Sequence, residues 1–364
     1  MTKTAVIGIG RLGLCFALNL EKHGFAVWGL DINERLIESL QNKSFQSNEP
    51  HLQEYLIDSS NFYPGSDLSV IFNEKIQFIF LLLPTPSCSD GSFSHQYIDK
   101  VIDDLIKLTP TDKALRHLVI GSTVMPGYCD GLSQKIAPYG YTVTYNPEFI
   151  AQGTIIRDQQ NPDQILIGEG HPQATVMLKE VYSKMCISNP AIHAMNRKSA
   201  EICKLATNCF LTMKISFANS IGDLASQIGA EPDKILAAIG SDSRIGKKYL
   251  NYGFGFGGPC FPRDNQALLN FAKQQGQPFH LSQSTIKVNK EHLKFQLKKM
   301  LEENKDEYEF EYVTYKKDTD IIEESQQLLL ARELVLAGKK VILKNSEHIK
   351  NKIEQDYPNY FHFK

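Results

Sequence analysis

A glycine turn between a strand pattern and a helix pattern opens the chain and sharply narrows its possible folds. The β-branched run KTAVIG, residues 3–8, leads into GIGRLG, in which Gly8, Gly10 and Gly13 have G-x-G-x-x-G spacing. Apolar residues then recur at helical spacing in LCFALNLEKHG, with Gly24 placed as a helix C-cap. Glycines here let backbone N–H groups and the helix N-terminus approach a pyrophosphate. We predict a nucleotide site, although such a turn can also serve packing alone.

A second strand pattern, FAVWGLD, ends in an acid at the distance expected of a dinucleotide fold. Asp31 lies about 20 residues beyond the glycines, where such folds place a carboxylate that binds the adenosine ribose 2′-OH. An acid rather than an arginine at this position favours NAD over NADP. Arg35 keeps NADP open, since a nearby arginine could bind either a ribose or a phosphate.

Further strand patterns recur at intervals typical of βαβ units. They are IQFIFLLLP (76–84), HLVIGST (117–123), YTVTYNP (141–147) and DQILIG (163–168). Strands that are apolar almost throughout belong to a parallel sheet covered on both faces. PTPSCSDGS and STVMPG follow strand ends, at the edge where doubly wound sheets bind ligands. We predict an α/β fold with a Rossmann-like doubly wound parallel sheet over residues 1–195.

Composition and charge argue for a globular protein that acts on small molecules. Of 364 residues, 42% are hydrophobic and 22% are charged, which is ordinary for a folded chain and argues against general disorder. The formal net charge of −2 provides no basic field for nucleic acid or an anionic membrane. The N-terminus has no charged leader before a long apolar stretch, and no run approaches the roughly 18 apolar residues of a membrane span. We expect a cytoplasmic protein.

The seven cysteines form neither a CxxC pair nor a Cys/His cluster with zinc spacing, so we expect no metal and no disulfide framework. Cys260 stands apart, because it lies in the loop GFGFGGPCFPRD, residues 253–264. Glycine allows a ligand to approach the backbone closely, and proline stiffens the loop. The neighbouring Arg263 could favour a thiolate, which leaves Cys260 as either a nucleophile or an inert buried thiol.

A long helix pattern follows the sheet and marks a second region. Residues 196–227 contain no proline and no glycine before Gly222. At about 1.5 Å per residue such a helix is more than about 40 Å long, enough to reach another domain or a partner chain. Helix patterns also cover EPDKILAAIG, NQALLNFAKQQG and residues 284–304. We predict a central helical domain, residues 196–303, and an α/β domain, residues 304–364, with strands in YEFEYVTY, VILKN and YFHF.

Lys204 and Asn208 lie four residues apart on the long helix and therefore project from one face. Such a pair usually belongs to a solvated stripe. The apolar neighbours Leu205, Phe210 and Leu211 instead indicate apolar surface, and a lysine buried there would need a partner. The spacing alone leaves both interpretations open.

Seven motifs in a fixed order resemble those of one family. They are GIGRLG, PTPSCSDGSF, STVMPG, NPEFIAQGTIIRD, AEICKLATNCFLTMKISFANSIGDLA, GSDSRIG and KKYLNYGFGFGGPCFPRD. Together they resemble the UDP-glucose/GDP-mannose dehydrogenase family, and within it the bacterial UDP-glucose 6-dehydrogenases, over residues 4 to about 273. YKKDTDIIEES continues the resemblance more weakly.

The resemblance implies a reaction that explains the cysteine loop. Such enzymes oxidise the C6 alcohol of a nucleotide-linked hexose to a carboxylate with two NAD, as in the conversion of UDP-glucose to UDP-glucuronate for polysaccharide biosynthesis. A first hydride transfer leaves an aldehyde, which Cys260 would capture as a thiohemiacetal. A second transfer gives a thioester, and water releases the acid. A single oxidation of alcohol to aldehyde would not need the thiol.

The resemblance also implies roles for individual residues. Besides the nucleophile Cys260, Lys204 and Asn208 would stabilise developing oxyanions. Asp264 and Thr123 would contact an ordered water in the alcohol step, and Glu148 would be the general base of thioester hydrolysis. The implied NAD-binding residues are Gly8, Gly10, Arg11, Leu12, Gly13, Asp31, Arg35, Thr85, Thr123, Gln152 and Arg263. The implied substrate-binding residues are Glu148, Phe149, Ile150, Ala151, Gln152, Lys204, Asn208, Arg244, Tyr249, Leu250, Asn251, Tyr252, Gly253 and Gly257. Arg244 would come from the partner subunit of a homodimer formed along the long helix.

Three departures from the family pattern bear on function. Gln152 stands where many relatives carry a second acid, and an amide cannot accept a proton at neutral pH, so hydrolysis would be slower or depend on Glu148 alone. The chain ends at Lys364, which we interpret as a shortened C-terminal α/β domain with fewer nucleotide contacts. Glu323 replaces an arginine that meets the nucleotide diphosphate in relatives, and a carboxylate there is repulsive.

Three alternatives to a UDP-glucose 6-dehydrogenase stay open. The first is a UDP-N-acetylhexosamine 6-dehydrogenase. The second is a two-electron β-hydroxyacid dehydrogenase, which also has a lysine and an asparagine four residues apart after an NAD domain, although the Cys260 loop argues against it. The third is a non-catalytic homologue that binds NAD or a sugar nucleotide without turnover, and the presence of both Cys260 and Lys204 argues against it.

Overall fold

The computed structural model describes residues 1–111, 114–344 and 346–364. The chain is divided into two compact units, residues 1–204 and residues 205–364. The finer division into domains of residues 1–195, 196–303 and 304–364 stays a prediction.

In the described part of the first unit, eight strands form one sheet in the order β3-β2-β1-β4-β5-β6-β7-β8. The strands are β1 (Thr2–Ile7), β2 (Phe25–Leu30), β3 (Phe62–Gly65), β4 (Phe78–Leu81), β5 (Arg116–Ile120), β6 (Tyr141–Tyr145), β7 (Gln164–Glu169) and β8 (Ala191–Asn196). The predicted strands correspond to β1, β2, β4, β5, β6 and β7, whereas β3 and β8 were not predicted. The Rossmann-like sheet is confirmed. It is parallel except where β6 meets β7 in the antiparallel sense.

Helices cover both faces of this sheet, as the apolar strands require. They are α1 (Arg11–Lys22), α2 (Glu34–Gln41), α3 (Leu52–Asp58), α4 (Val70–Asn73), α5 (Gln96–Leu108), α6 (Tyr128–Ile136), α7 (Ile155–Gln160) and α8 (Pro172–Met185). Successive side chains of β1 point to opposite faces of the sheet and so belong to two different cores. Val6 packs with α1 and α8 on one face, and Ile7 packs with α5 and α6 on the other. The C-cap of α1 is His23 rather than the predicted Gly24, which follows His23 with φ of 89°, the conformation expected just after a helix C-cap.

The long helix is confirmed as α9 (Arg197–Gln227), which has 31 residues and continues from the first unit into the second. The second unit adds α10 (Pro232–Ser241), α11 (Phe261–Gln274), α12 (His280–Glu302), α13 (Gln326–Leu336) and α14 (Glu347–Asp356). Its strands are β9 (Glu307–Phe310), β10 (Lys340–Leu343) and β11 (His362–Phe363), which form a parallel sheet in the order β11-β10-β9.

The three strands predicted for the tail are therefore confirmed, except that Asn345 of the predicted strand VILKN lies outside the described residues. Tyr308, Phe310, Leu334 and Val341 are among the residues of a separate core in this part of the chain. Among the helices described, none combines the length and apolar character needed to cross a membrane.

Candidate active site

The three glycines of the first turn meet different requirements. Gly8 has φ of 88°, and a Cβ there would lie 2.5 Å from the carbonyl oxygen of Leu82. A Cβ on Gly13 would lie 1.9 Å from the carbonyl oxygen of Gly8, so only glycine lets α1 pack this closely on β1. A Cβ on Gly10 would have no atom within 4 Å. The open space at Gly10, beside the N-terminus of α1, fits the pyrophosphate of a dinucleotide.

Other predicted cofactor residues lie just beyond the carboxyl ends of neighbouring strands. Asp31 follows β2, where its carboxylate accepts a hydrogen bond from the Asn33 N–H at 3.0 Å. Thr85 follows β4, and its hydroxyl donates to the carbonyl oxygen of Thr123 beyond β5 at 2.8 Å. This edge of the sheet is where doubly wound folds bind nucleotides. Arg35 is exposed on α2.

The NPEFIAQ segment follows β6 and connects to the glycine turn. Arg11 Nη1 donates to Oε1 of Gln152 at 3.0 Å. The intervening Phe149 and Ile150 pack against the two cores of the sheet, and Ala151 is partly buried. Leu12 packs against the same core as Ile150.

A buried acid that the sequence analysis missed holds the end of this segment. The Glu49 carboxylate accepts hydrogen bonds from the N–H groups of Gly153 at 3.0 Å and Ile155 at 2.5 Å. Glu49 therefore fixes the backbone immediately after Gln152, at the first turn of α7.

Glu148 and Lys204 form the charged centre of the first unit. Burial raises the pKa of Glu148 to about 7, and the nearby Lys204 ammonium partly opposes this shift. Lys204 Nζ donates to the carbonyl oxygen of Glu148 at 2.7 Å and lies 4.3 Å from the ring centroid of Phe149. Lys204 and Asn208 are each only 7% exposed, so the interpretation of this pair as a solvated stripe is wrong.

Cys260 is exposed at the N-cap of α11, so its interpretation as a buried thiol is also wrong. The positive end of a helix dipole favours a thiolate. One turn further on, Asp264 is buried and accepts a hydrogen bond from Asn208 Nδ2 at 2.6 Å. Arg263 Nε lies 3.9 Å from the other carboxylate oxygen of Asp264.

The predicted substrate residues before Cys260 form a loop of closely packed backbone. Gly253 N–H donates to Asn219 Oδ1 at 3.1 Å, and Gly258 N–H donates to the carbonyl oxygen of Glu323 at 3.1 Å. A Cβ on Gly257 would lie 2.1 Å from the carbonyl oxygen of Glu324, so glycine is required there. The loop is thus fixed to the DTDIIEES segment through that segment's backbone, while the Glu323 side chain is exposed.

The remaining residues predicted to bind the substrate differ in exposure. Tyr249, which has φ of 63°, is exposed, as is Asn251, whereas Leu250 is buried. Tyr252 Oη donates to Asp223 Oδ1 at 2.9 Å. The Arg244 side chain is 87% exposed and pairs with Asp242 at 2.7 Å.

A second buried acid missed by the sequence analysis, Glu201, joins α9 to the STVMPG turn. Its carboxylate accepts hydrogen bonds from the N–H groups of Gly127 at 2.5 Å and Cys129 at 2.8 Å. Burial raises its pKa, mainly because the group is removed from water. The position of Glu201 one turn before Lys204 was its only indication in the sequence. Within the described residues, no group of three or more His, Cys, Asp or Glu side chains is arranged to hold a metal.

Two family models match the chain. The model of the UDP-glucose/GDP-mannose dehydrogenase family NAD-binding domain matches residues 2–186, and that of the family's central domain matches residues 198–291. The chain belongs to this family. The resemblance inferred from the motifs is therefore confirmed, and residues 2–186 are its NAD-binding domain.

Individual relatives extend the comparison. UDP-glucose 6-dehydrogenase TuaD of Bacillus subtilis is 33% identical over 79% of this chain and 63% of its own length. UDP-glucose 6-dehydrogenase AglM of Haloferax volcanii is 31% identical over 93% of this chain and 82% of its own length. A UDP-glucose dehydrogenase structure from Pyrobaculum islandicum superposes with a TM-score of 0.90 at 28% identity, covering all of this chain and 86% of that one. The chain thus spans less than two thirds of the length of TuaD.

Proposed function

We propose that this protein is an NAD-dependent nucleotide-sugar 6-dehydrogenase that oxidises UDP-glucose to UDP-glucuronate. The observation that carries the proposal is the exposed thiol of Cys260 at the N-terminus of α11, followed by the buried Asp264–Asn208 pair. An exposed thiol in this position suits capture of an aldehyde, which a two-electron alcohol dehydrogenase would not require.

NAD, when bound, supplies the hydride acceptor for both oxidations. The backbone from Gly8 to Gly13 would hold its pyrophosphate, since the open side of Gly10 leaves space for it. Asp31 would bind the adenosine ribose, and Thr85 and Thr123 would contact the nicotinamide half.

In the first oxidation the chain must remove the proton of the C6 hydroxyl. We assign this to Asp264, which would take the proton through an ordered water. The hydrogen bond from Asn208 holds the carboxylate of Asp264 in position for this role. Lys204 and Asn208 would donate hydrogen bonds to the sugar oxygen while it carries negative charge.

In the second oxidation the sulfur of Cys260 bonds to the aldehyde carbon, and the proton of the thiol passes to the aldehyde oxygen to give a thiohemiacetal. Loss of hydride from carbon and of a proton from oxygen gives the thioester. Glu148 then removes a proton from the attacking water, the C–S bond breaks, and Cys260 regains its thiol while the acid leaves. A pKa of about 7 suits Glu148 to this task, because the base is partly ionised at neutral pH.

The decisive test is NADH formation with UDP-glucose, UDP-galactose, UDP-GlcNAc, UDP-GalNAc and GDP-mannose, together with the amount of each sugar consumed. We expect two NADH per UDP-glucose and loss of acid formation in Cys260→Ser. Two NADH from another sugar would reassign the substrate. One NADH per sugar, with full activity in Cys260→Ala, would contradict the thioester route and favour a two-electron dehydrogenase.

We also propose that the protein forms a homodimer along α9. On α9, Phe210, Phe217 and Leu224 recur at spacings of seven residues and are 57%, 48% and 58% exposed. Residues at these spacings share one helix face, and an exposed apolar stripe of this kind is typical of a helix–helix interface. Arg244 of the partner subunit would then bind substrate.

A cytoplasmic location forms part of the same proposal. All seven cysteines are free thiols. Chains that keep every cysteine reduced are typical of a reducing compartment.

A further inference from the structure

The imidazole of His292, on α12, faces a hydrogen-bond acceptor at each of its two nitrogens. Nδ1 lies 2.9 Å and 2.8 Å from the two carboxylate oxygens of Asp223 on α9. Nε2 lies 2.6 Å from the carbonyl oxygen of Gly253. A carbonyl oxygen has no proton to donate, so Nε2 must carry one, and a carboxylate needs a second proton at Nδ1.

The surroundings of Asp223 favour the ion pair over a neutral pair. Tyr252 Oη also donates to Asp223 Oδ1 at 2.9 Å, so both the imidazole and a hydroxyl face this carboxylate as hydrogen-bond partners. Burial raises the pKa of Tyr252, which keeps that hydroxyl protonated as a donor. His292 itself is buried, and a buried cation requires such a partner.

We infer that His292 is held as an imidazolium by Asp223 and acts as a positioning residue that fixes the Cys260 loop through the carbonyl oxygen of Gly253. The inference rests on the proposed function for its catalytic consequence, but not for its geometry. Gln296, one turn along α12, donates to the same carbonyl oxygen at 3.1 Å. Gly253 is thus held from α12, seven residues before the proposed nucleophile.

Two asparagines complete the attachment of this loop. Asn219 on α9 accepts from the Gly253 N–H at 3.1 Å and donates to the carbonyl oxygen of Phe254 at 3.3 Å. Asn289 on α12 accepts from the Phe256 N–H and donates to the Phe256 carbonyl oxygen, both at 2.9 Å. The amides of Asn219 and Asn289 are neutral, whereas the contact from His292 to the Gly253 carbonyl depends on a proton that can be lost.

The direction of the pH effect follows from this arrangement. In the described structure, Asp223 on α9 and Tyr252 in the loop are the titratable groups that face the imidazole. Loss of a proton from His292 leaves one donor for two acceptors, so either the Asp223 contact or the Gly253 contact is lost. The loop is therefore held most firmly while His292 is charged and becomes looser as the pH rises.

The first test uses the full chain without substrate or cofactor. Histidine-selective 15N spectra, with His292 assigned from its absence in His292→Gln, should show both ring nitrogens protonated at pH 7 in the wild type. In Asp223→Asn the same ring should be neutral at pH 7. A wild-type His292 with one protonated nitrogen at pH 7 would overturn the inference.

Amide hydrogen exchange measures the consequence for the loop. In Asp223→Asn and His292→Gln, exchange of the Gly253 and Phe256 amides should accelerate about tenfold, the effect of losing one hydrogen bond from a charged donor. His280→Gln, an exposed histidine on the same helix, is the matched control and should leave both rates unchanged. Unchanged protection in Asp223→Asn would contradict the positioning role, even if His292→Gln fails to fold.

Activity provides a separate outcome. If the proposed reaction is correct, Asp223→Asn should lower kcat, leave the Kd for NAD unchanged and shift the alkaline limb of the pH profile. A wild-type protein that oxidises no sugar but has a doubly protonated His292 and a protected loop would contradict the proposed function alone. Normal turnover with a neutral His292 would contradict this inference alone.

Discussion

Arg11 Nη1 donates a hydrogen bond to Oε1 of Gln152 at 3.0 Å, which joins the glycine turn to the loop after β6. A carboxylate at position 152 would accept the same hydrogen bond and would also form an ion pair with the Arg11 guanidinium. Gln152→Glu should therefore be tolerated, because an exposed pair of this kind contributes about 0.2–1 kcal/mol. It should also add a second base for thioester hydrolysis and raise kcat. Rapid-quench mass spectrometry of the Cys260 acyl-enzyme measures this step directly.

The double variant Arg11→Met/Gln152→Glu is the control for that prediction. Without Arg11 the new carboxylate loses its partner, so the gain in stability should disappear. Because Arg11 is also a predicted NAD-binding residue, kcat of the double variant is compared with that of Arg11→Met, and the catalytic gain should persist in that comparison. If neither acyl-enzyme accumulation nor kcat changes in Gln152→Glu, Glu148 alone sets the rate of hydrolysis.

The raised pKa of Glu148 predicts an ascending pH profile. If Glu148 is the base, the hydrolysis rate should rise with pH through about 7 and then level off. Lys204→Met removes the charge that lowers this pKa, so the ascending limb should move to higher pH. Glu148→Gln should abolish the limb. A profile that is flat from pH 5 to 9 in the wild type would assign hydrolysis to another group.

The pH dependence of protein stability should reveal the raised pKa of Glu148 independently of catalysis. Its pKa of about 7 in the folded state lies above the ordinary glutamate pKa of 4.5, so between these values the folded state binds more protons than the unfolded state. Stability is then lost as pH rises towards 7. Glu148→Gln removes this loss and should raise Tm at pH 8 relative to wild type, with a much smaller difference at pH 4. Equal effects at both pH values would indicate a packing change instead.

Lys204 is expected to contribute more to turnover than to cofactor binding. Removing one preorganised donor from an oxyanion typically lowers kcat by about 10²–10³. Lys204→Met keeps most of the side-chain volume against Phe149 but removes the ammonium, so kcat should fall by this factor while the Kd for NAD stays constant. Equal losses in kcat and in NAD affinity would instead identify Lys204 as a structural residue that fixes the Glu148 carbonyl.

Elements with strong local periodicity were predictable from the sequence. The β1–turn–α1 unit and α9 depend on contiguous residues whose spacing is visible in one segment. The sequence analysis missed β3 and β8, each for a different reason. β3 reads FYPG, in which proline and glycine argue against a strand, and β8 is mostly exposed and lacks an apolar pattern. The antiparallel pairing of β6 with β7 depends on chain direction, which local patterns do not encode.

The residues of the candidate site also differ in how far the local sequence predicts them. Cys260 and the glycine turn are conspicuous because glycine and proline cluster around them. Glu49 accepts from the Gly153 N–H, 104 residues later in the chain, and His292 contacts Asp223, 69 residues earlier. Such partners are brought together only by the fold, and nothing in the local sequence distinguishes these residues from ordinary surface acids and histidines.

The apolar stripe on α9 makes the proposed dimer testable by one substitution. Phe217→Glu places a charge in the middle of the stripe, so an interface there should dissociate, because a buried unpaired charge is strongly unfavourable. Analytical ultracentrifugation should then detect monomers. Leu336→Glu, which changes a leucine of similar exposure on α13, is the matched control and should remain dimeric. A Phe217→Glu dimer as stable as wild type would place any interface elsewhere.

Complementation between inactive variants tests whether Arg244 acts in the partner's site. Its guanidinium is mostly exposed and bonded only locally to Asp242 among the contacts described, so it is available to a second chain. In a heterodimer of Cys260→Ala and Arg244→Ala, one site would lack both residues and the other would have both, provided that Arg244 acts across the interface. Purified through two different affinity tags, this heterodimer should regain about half of the wild-type activity, whereas each parent homodimer stays inactive. A heterodimer as inactive as its parents would show that Arg244 serves the site of its own chain.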